Sequence, residues 1–401
     1  MGNMIQPKVF YRELDLILSK IRKEKSHDNF FFSILSEIHE KFGETLNIIN
    51  SHIYEQRGDY YVLVDSINKK STGIKNRIPI NSKTINQISQ NGCMIFDKLF
   101  YIKDFDFGVD YEKITPAAIY VHTPVKRWLF IFELTMGWSY EETTLFLNAL
   151  RTALNYRLFS QMINTDLKRA EQIQKSLLPE VSPEFKGFDV YGHSQPAEYV
   201  GGDFFEYFYF NENYFGVSLG DASGHGLPAA LLVRDVVVGL RMGLTEEMRL
   251  VYTIKKLNKV IQKSTYATNF VSLFVGEIEN GNHLFYVNAG HPPPFVVCGD
   301  RINNLEATGI TLGFMPEIEL QRDFLLLEKN SILVLYTDGL IEREGESEEQ
   351  YGIQRLQQTV IKNQDKMAKE LVQLIFKEVF EFGNQKNWND DVTLVIMKRV
   401  K

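Results

Sequence analysis

The runs Asp203 to Phe210 and Tyr214 to Asp221 are aromatic and β-branched and flank a short polar turn, Asn211-Glu212-Asn213. This pattern predicts a β-hairpin. Pairing Phe210 with Tyr214 sets Asp203 directly opposite Asp221, with Cβ atoms about 4.5–5.5 Å apart. At roughly 5 Å and an effective dielectric near 20, two such carboxylates repel by about 3 kcal/mol, which calls for a cation or a raised pKa. A bound metal is the simplest remedy. Alternation places Phe205, Tyr207, Tyr209, Phe215, Val217 and Leu219 on the face of these carboxylates, the expected core side, and Glu206 on the opposite face.

A second pair of carboxylates repeats the theme. Ser331 to Tyr336 is an apolar strand that delivers Asp338 in Thr337-Asp338-Gly339, and Asp390 precedes the closing strand Val392 to Val400. Strand starts lie beside the ends of antiparallel neighbours, so Asp203 and Asp390 can share a rim with Asp221 and Asp338. Four oxygen donors are expected to converge there. An Asp-Gly pair alone is usually a turn; its company changes the reading.

At 401 residues, with 44% hydrophobic and 24% charged content, the chain is long enough for two domains with separate cores. The net charge of −7 and the lack of a basic run argue against a nucleic-acid or anionic-membrane binder. Cys93 and Cys298 are too few for a disulfide framework or thiolate metal site, and free thiols suit a reducing compartment. No apolar run reaches the ~18 residues of a membrane span, and the charged first 25 residues do not read as a signal peptide. A soluble cytoplasmic protein is the expectation.

The predicted organisation has four parts: an N-terminal segment (1–27), a small α/β domain (28–138), a helical linker (139–178) and a C-terminal domain (179–401). In the second part, Phe31, Ile34, Leu35, Ile38 and Phe42 have helical spacing. Two hairpins follow, Ser51–Tyr54 with Tyr60–Ile67 and Ala117–His122 with Trp128–Leu134. This layout resembles a GAF sensor domain. From Tyr140 to Leu178 there is neither Gly nor Pro, and Ala149, Tyr156, Ile163, Ala170 and Leu177 recur every seven residues, interrupted by Ser160 and Gln174. That spacing predicts a long helix with a coiled-coil tendency and a homodimer through it. The C-terminal part carries at least eight strand-like runs and three helices, Leu227 to Gly243, Thr245 to Ser264 and Met367 to Phe382. The expected class is α+β, with antiparallel sheet faces covered by helices.

Six ordered blocks carry a family resemblance: Ala170-Glu171-Gln172-Ile173-Gln174-Lys175-Ser176-Leu177-Leu178-Pro179, Val200-Gly201-Gly202-Asp203-Phe204-Phe205, Gly220-Asp221-Ala222-Ser223-Gly224-His225-Gly226-Leu227-Pro228-Ala229-Ala230, Asn288-Ala289-Gly290-His291-Pro292-Pro293, Leu335-Tyr336-Thr337-Asp338-Gly339 and Asp390-Asp391-Val392-Thr393. The segment after Glu171 resembles the PPM (type 2C) metal-dependent Ser/Thr phosphatases, in their SpoIIE/RsbU-like bacterial branch. The resemblance implies an α-β-β-α sandwich and two Mn²⁺ or Mg²⁺ ions. Asp221 would bridge them, Ala222 would offer its carbonyl, and Asp203, Asp338 and Asp390 would complete the set. It further implies a phosphorylated STAS-type anti-sigma-factor antagonist as substrate, with an unidentified signal acting on the N-terminal domain.

Some positions depart from the family pattern. Glu206 stands where the branch often has Asp, His225 lies four residues after Asp221 where eukaryotic relatives place an acid His two after theirs, and no Arg matches their phosphate-binding Arg. His225 and His291 read first as loop elements, with Ser223 as a candidate cap for the following helix. The rival function is a phosphatase-like module that only binds a partner; the intact carboxylate set speaks against it.

Overall fold

The computed structural model describes residues 27–67, 75–96, 114–245, 250–264 and 270–400. The expected N-terminal segment lies outside these apart from its last residue, as do residues 246–249 of the helix expected from Thr245 and the side chain of Phe31. The chain divides into two compact units, 1–164 and 165–401. Among the described residues the strands form three sheets, all antiparallel.

The first unit holds α1 (His27–Phe42), β1 (Ile48–Arg57), β2 (Tyr60–Ile67), β3 (Arg77–Pro79), α2 (Lys83–Asn91), β4 (Cys93–Ile95), β5 (Thr115–His122) and β6 (Arg127–Leu134). Its six-stranded sheet runs β3-β2-β1-β6-β5-β4. One face packs on Ile34, Leu35, Ile38 and Phe42 of α1 and on Phe146, Leu150 and Leu154 from the start of α3 (Tyr140–Leu177). The other face buries Tyr54, Tyr61, Leu129 and Ile131 with Ile85 and Ile88 of α2. The heptad residues do not form one buried seam. Ala149 is 2% exposed, Tyr156 is 75% and Ile163 is 39%, because the first turns of α3 turn Phe146, Leu150 and Leu154 toward their own sheet.

The second unit is an α-β-β-α sandwich. β8 (Asp203–Asn211), β9 (Tyr214–Ala222), β10 (Val271–Glu279), β11 (His283–Ala289) and β14 (Asp323–Leu326) form one sheet in the order β14-β11-β10-β9-β8. The other contains β7 (Phe188–Gln195), β12 (Phe295–Cys298), β13 (Arg301–Asn304), β15 (Ile332–Tyr336) and β16 (Val392–Arg399), ordered β13-β12-β15-β16-β7. Between them lie Phe205, Phe215, Val217, Leu219 and Phe274, facing Val190, Leu333, Leu335, Val395 and Met397. The outer face of the first sheet is covered by α4 (Gly226–Gly243) and α5 (Leu250–Ser264), through Val233, Val236, Val237, Leu240, Ile254 and Ile261. The outer face of the second is covered by α7 (Gly352–Lys362) and α8 (Ala368–Phe382).

Two expectations change. The hairpin is buried on both faces: Phe204, Phe208 and Ala222 pack under the helices while Phe205 and Phe215 enter the space between sheets, and Tyr209 at the hairpin end is 61% exposed. Helix α7 was not foreseen, although Ile353, Leu356 and Val360 have helical spacing.

Phe215 stacks on Phe185 with centroids 4.1 Å apart and meets Phe188 edge-on at 5.1 Å. Phe215→Ala is expected to destabilise the protein by about 3–5 kcal/mol, read as a lower urea midpoint with an unchanged slope.

Candidate metal-binding carboxylate rim

The hairpin register brings Asp203 opposite Asp221. The turn is one residue tighter than expected, with Asn211 pairing Tyr214 after an irregularity at Tyr209 and Asn211 Oδ1 accepting from Asn213 N at 3.0 Å. The irregularity lies at the turn, so the far end keeps its register. On its other side Asp221 pairs with Ser272 of β10.

Asp203 is the point where the two sheets meet. Its Oδ2 accepts from Thr337 Oγ1 at 2.8 Å and from Thr393 Oγ1 at 2.7 Å, and Thr393 N donates to Thr337 Oγ1 at 2.9 Å. Both threonines belong to the second sheet, one just after β15 and the other within β16. Asp338 opens α6, a short turn (Asp338–Ile341), and its Oδ1 accepts from Gly339 N at 3.0 Å. A β-carbon at Gly339 would lie 3.2 Å from Cβ of Asp390, so glycine is what lets the Asp338 turn approach Asp390.

Neighbouring aspartates have separate tasks. Asp390 Oδ1 accepts from Asp391 N at 2.8 Å. Asp391 instead reaches across the fold: its Oδ1 accepts from Ala197 N at 2.8 Å and its Oδ2 from Gly202 N at 2.6 Å. A side chain at Gly201 would collide with that carboxylate, and one at Gly202 would come within 2.5 Å of the Ala222 carbonyl oxygen and 3.0 Å of Asp221 Oδ1. The two glycines thus allow the loop before β8 to lie against Asp391 on one side and the end of β9 on the other.

Electrostatics reflect this crowding. Burial, then the facing Asp221, pushes the Asp203 carboxyl well above the ordinary carboxylate range, against the pull of its hydroxyl donors. Burial, then Asp338, Asp390 and Asp391, pushes Asp221 up to about 7. Asp338 is raised by burial and by Asp390. Charge repulsion thus links Asp221 to Asp203 on one side and to Asp338, Asp390 and Asp391 on the other. Among the described residues, no group of three or more His, Cys, Asp or Glu side chains is set closely enough to hold a metal ion as it stands. Each carboxylate here is instead turned toward local N–H or O–H donors or left beside its neighbour.

The donor chemistry nonetheless fits a hard cation. Asp203, Asp221, Asp338, Asp390 and the Ala222 carbonyl are oxygen donors, the kind favoured by Mg²⁺ and Mn²⁺. No imidazole competes. His291 is buried and neutral, with burial holding its pKa at about 4; it lies 2.8 Å from Ser272 Oγ through Nδ1 and 3.1 Å from the Tyr336 carbonyl through Nε2. It joins the two sheets behind the rim. His225 caps α4 without a side-chain bond, while Ser223, the expected cap, accepts from Phe270 N at 2.9 Å.

Further contributors escaped the sequence reading. Gln174, which there breaks the heptads and lies in the first of the resembling blocks without an assigned role, is buried and pairs with the backbone of Gly201: Nε2 donates to Gly201 O at 2.6 Å, and Oε1 accepts from Gly201 N at 3.0 Å. Glu206 lies on the helix-covered side, as alternation predicted, and accepts from Arg241 Nε at 2.7 Å. Arg241 Nη2 also donates to the Leu177 carbonyl at 2.7 Å. The end of α3 is thus tied both to the loop before Asp203 and to α4.

The family model described as Stage II sporulation protein E (SpoIIE) matches residues 211–400, a span that holds Asp221, Asp338 and Asp390. Over that span the C-terminal unit is similar to the SpoIIE family. The chain is 28% identical over 282 residues to Protein IcfG of Synechocystis sp. (strain ATCC 27184 / PCC 6803 / Kazusa), covering 63% of this chain and 44% of IcfG. It is 26% identical over 248 residues to Phosphoserine phosphatase RsbU of Bacillus subtilis (strain 168), covering 61% of this chain and 72% of RsbU. The SiaA-PP2C domain of Pseudomonas aeruginosa shares the fold, with a TM-score of 0.53 at 17% identity over 60% of this chain and 98% of that domain. No helix among the described residues is long and apolar enough to cross a membrane.

The raised carboxyls set a pH dependence. Their folded-state pKa lies above the unfolded value; for Asp221 this means that between about 4 and about 7 the folded C-terminal unit binds more protons than the unfolded chain. Without cation, that contribution is present at low pH and is lost as pH rises through about 7. Thermal melts in EDTA against melts in Mn²⁺ should show a small cation-dependent rise at pH 5 and a distinctly larger one at pH 8; an equal rise at both would contradict the assignment.

Proposed function

We propose that this chain is a metal-dependent protein serine/threonine phosphatase that removes phosphate from phosphoserine or phosphothreonine of a signalling protein. The observation that carries this reading is the facing pair Asp203 and Asp221, brought to one rim with Asp338 and Asp390 in a unit similar to the SpoIIE family. The names of RsbU and RsbP, both phosphoserine phosphatases, support the reaction type.

Asp203, Asp221, Asp338, Asp390 and the Ala222 carbonyl would hold two Mn²⁺ or Mg²⁺ ions. Such ions lower the pKa of a bound water and screen phosphoryl oxygens during in-line attack. The chain's own residues do the positioning. Thr337 and Thr393 fix the rotamer of Asp203 by occupying one of its oxygens. Asp391 holds the Gly201-Gly202 loop close against the end of β9. Proton transfer needs no imidazole in this scheme: His225 is exposed at a helix cap, and His291 has both ring nitrogens engaged.

The substrate we infer is a phosphorylated STAS-type anti-sigma-factor antagonist, supported by the likeness to RsbU. Regulation would come from a GAF-like sensor at 28–138 acting through a 139–178 linker, with a homodimer along that helix. The six-stranded antiparallel sheet and the Gln174 contact with Gly201 support this arrangement.

Mn²⁺-dependent phosphate release from a phosphoserine protein is expected to fall at least about a hundredfold in Asp221→Asn and in Asp338→Asn. Full activity in either variant overturns the assigned roles. Gln174→Ala, which removes two hydrogen bonds to the Gly201 backbone, should lower the same activity several-fold while shifting the melting temperature by only about 2–6 °C.

A further inference from the structure

We propose that Arg343 is a positioning residue for the carboxylate rim: its guanidinium holds the 383–389 loop in the conformation that delivers Asp390 beside the Asp338 turn. The inference rests on the metal-centre reading above. Arg343 directly follows Glu342, whose backbone N–H donates to the Asp338 carbonyl at 2.8 Å and closes α6. It is 3% exposed and makes no ion pair among the described residues.

The donors of its two terminal nitrogens go to one short loop instead, while Nε is buried without a partner among the described residues. Nη1 donates to the Asn387 carbonyl at 2.8 Å and reaches Asn389 Oδ1 at 3.4 Å. Nη2 donates to the Lys386 carbonyl at 2.7 Å and the Gly383 carbonyl at 3.3 Å. The guanidinium lies over Trp388, 5.0 Å from the ring centroid. A buried cation without a carboxylate partner is unfavourable compared with an apolar side chain. What an apolar residue lacks is the planar fan of donors that meets diverging carbonyls.

The loop has a reason to need such a hold. Asn384 and Gln385 both have φ 56°, two successive non-glycine residues in the left-handed region, where Cβ crowds the following carbonyl. Gly383 has no side chain because Arg343 fills that space. From this point the chain runs through Trp388 and Asn389 into Asp390, whose Cβ lies against Gly339. One side chain therefore ties the turn bearing Asp338 to the loop bearing Asp390.

The test is Arg343→Lys in the full chain, which keeps the charge but cannot span three carbonyls. Mn²⁺ affinity is measured by isothermal titration, and hydrogen exchange is followed on peptides covering 383–391. The expected result is a dissociation constant raised at least about tenfold and faster exchange confined to those peptides, with kcat at saturating Mn²⁺ nearly unchanged. Faster loop exchange with unchanged Mn²⁺ affinity, or exchange that does not change, overturns the proposal. Should Arg343→Lys fail to fold, Trp388→Leu removes the ring beneath the guanidinium and is judged by the same two readouts. A parental chain that binds no Mn²⁺ sinks the metal-centre reading instead, and loop exchange then decides whether Arg343 holds the loop.

Discussion

A carboxylate from one sheet is bonded by two hydroxyls from the other, and the rest of the C-terminal unit is arranged around that contact. Asp203 is 4% exposed, and Thr337 and Thr393 reach one of its oxygens across the gap between the sheets. Buried charge needs compensation that apolar packing cannot provide. Here the compensation comes from β16 and the residue that follows β15, and neither strand shares a hydrogen-bonded edge with β8. The interlock fixes the sliding position of one sheet on the other, which aromatic packing alone would leave less defined.

The polar contacts behind the rim divide into those that bring acids together and those that keep them apart. His291, neutral because it is buried, links Ser272 to Tyr336 and adds no charge to an already acidic region. Asp391 directs its negative charge at three backbone N–H groups, those of Ala197, Gly202 and Asp203, which oppose the rise that burial causes in its own pKa. Gln174 does similar backbone work without any charge. His291 and Gln174 add only dipoles and hydrogen bonds, so they do not increase the repulsion that Asp338, Asp390 and Asp391 create at Asp221.

How much of this could be read from residues alone depended on the range of the interaction. The Asp203–Asp221 opposition follows from two strands and a turn, all local, and it survived a turn one residue tighter than expected. The layered class was legible because each strand run was apolar enough to be covered. The hairpin's second buried face was harder to see, since aromatic residues fill both alternations and the period of two is blurred. Contacts such as Asp391 to Gly202 or Gln174 to Gly201 span long stretches of chain. Nothing in local pattern announces them, although Gly201 and Gly202 side by side marked a place where backbone is closely approached. In α3 the seven-residue spacing could be read locally, but the stripe that the first unit buries, through Phe146, Leu150 and Leu154, is chosen by the sheet it packs on and runs beside that spacing.

Strand β7 lies at the edge of its sheet and is hydrogen-bonded along its length to β16, from Val392 opposite Gln195 to Arg399 opposite Phe188. During synthesis, the earliest strand of this sheet must therefore wait for a partner made some two hundred residues later. Until then its backbone donors and acceptors have only water, or a chaperone, to satisfy them. Such distant pairing slows assembly. It also means that a ribosome stalled before residue 392 releases a chain whose first sheet can form while the second stays open, with Asp203 lacking its Thr393 contact.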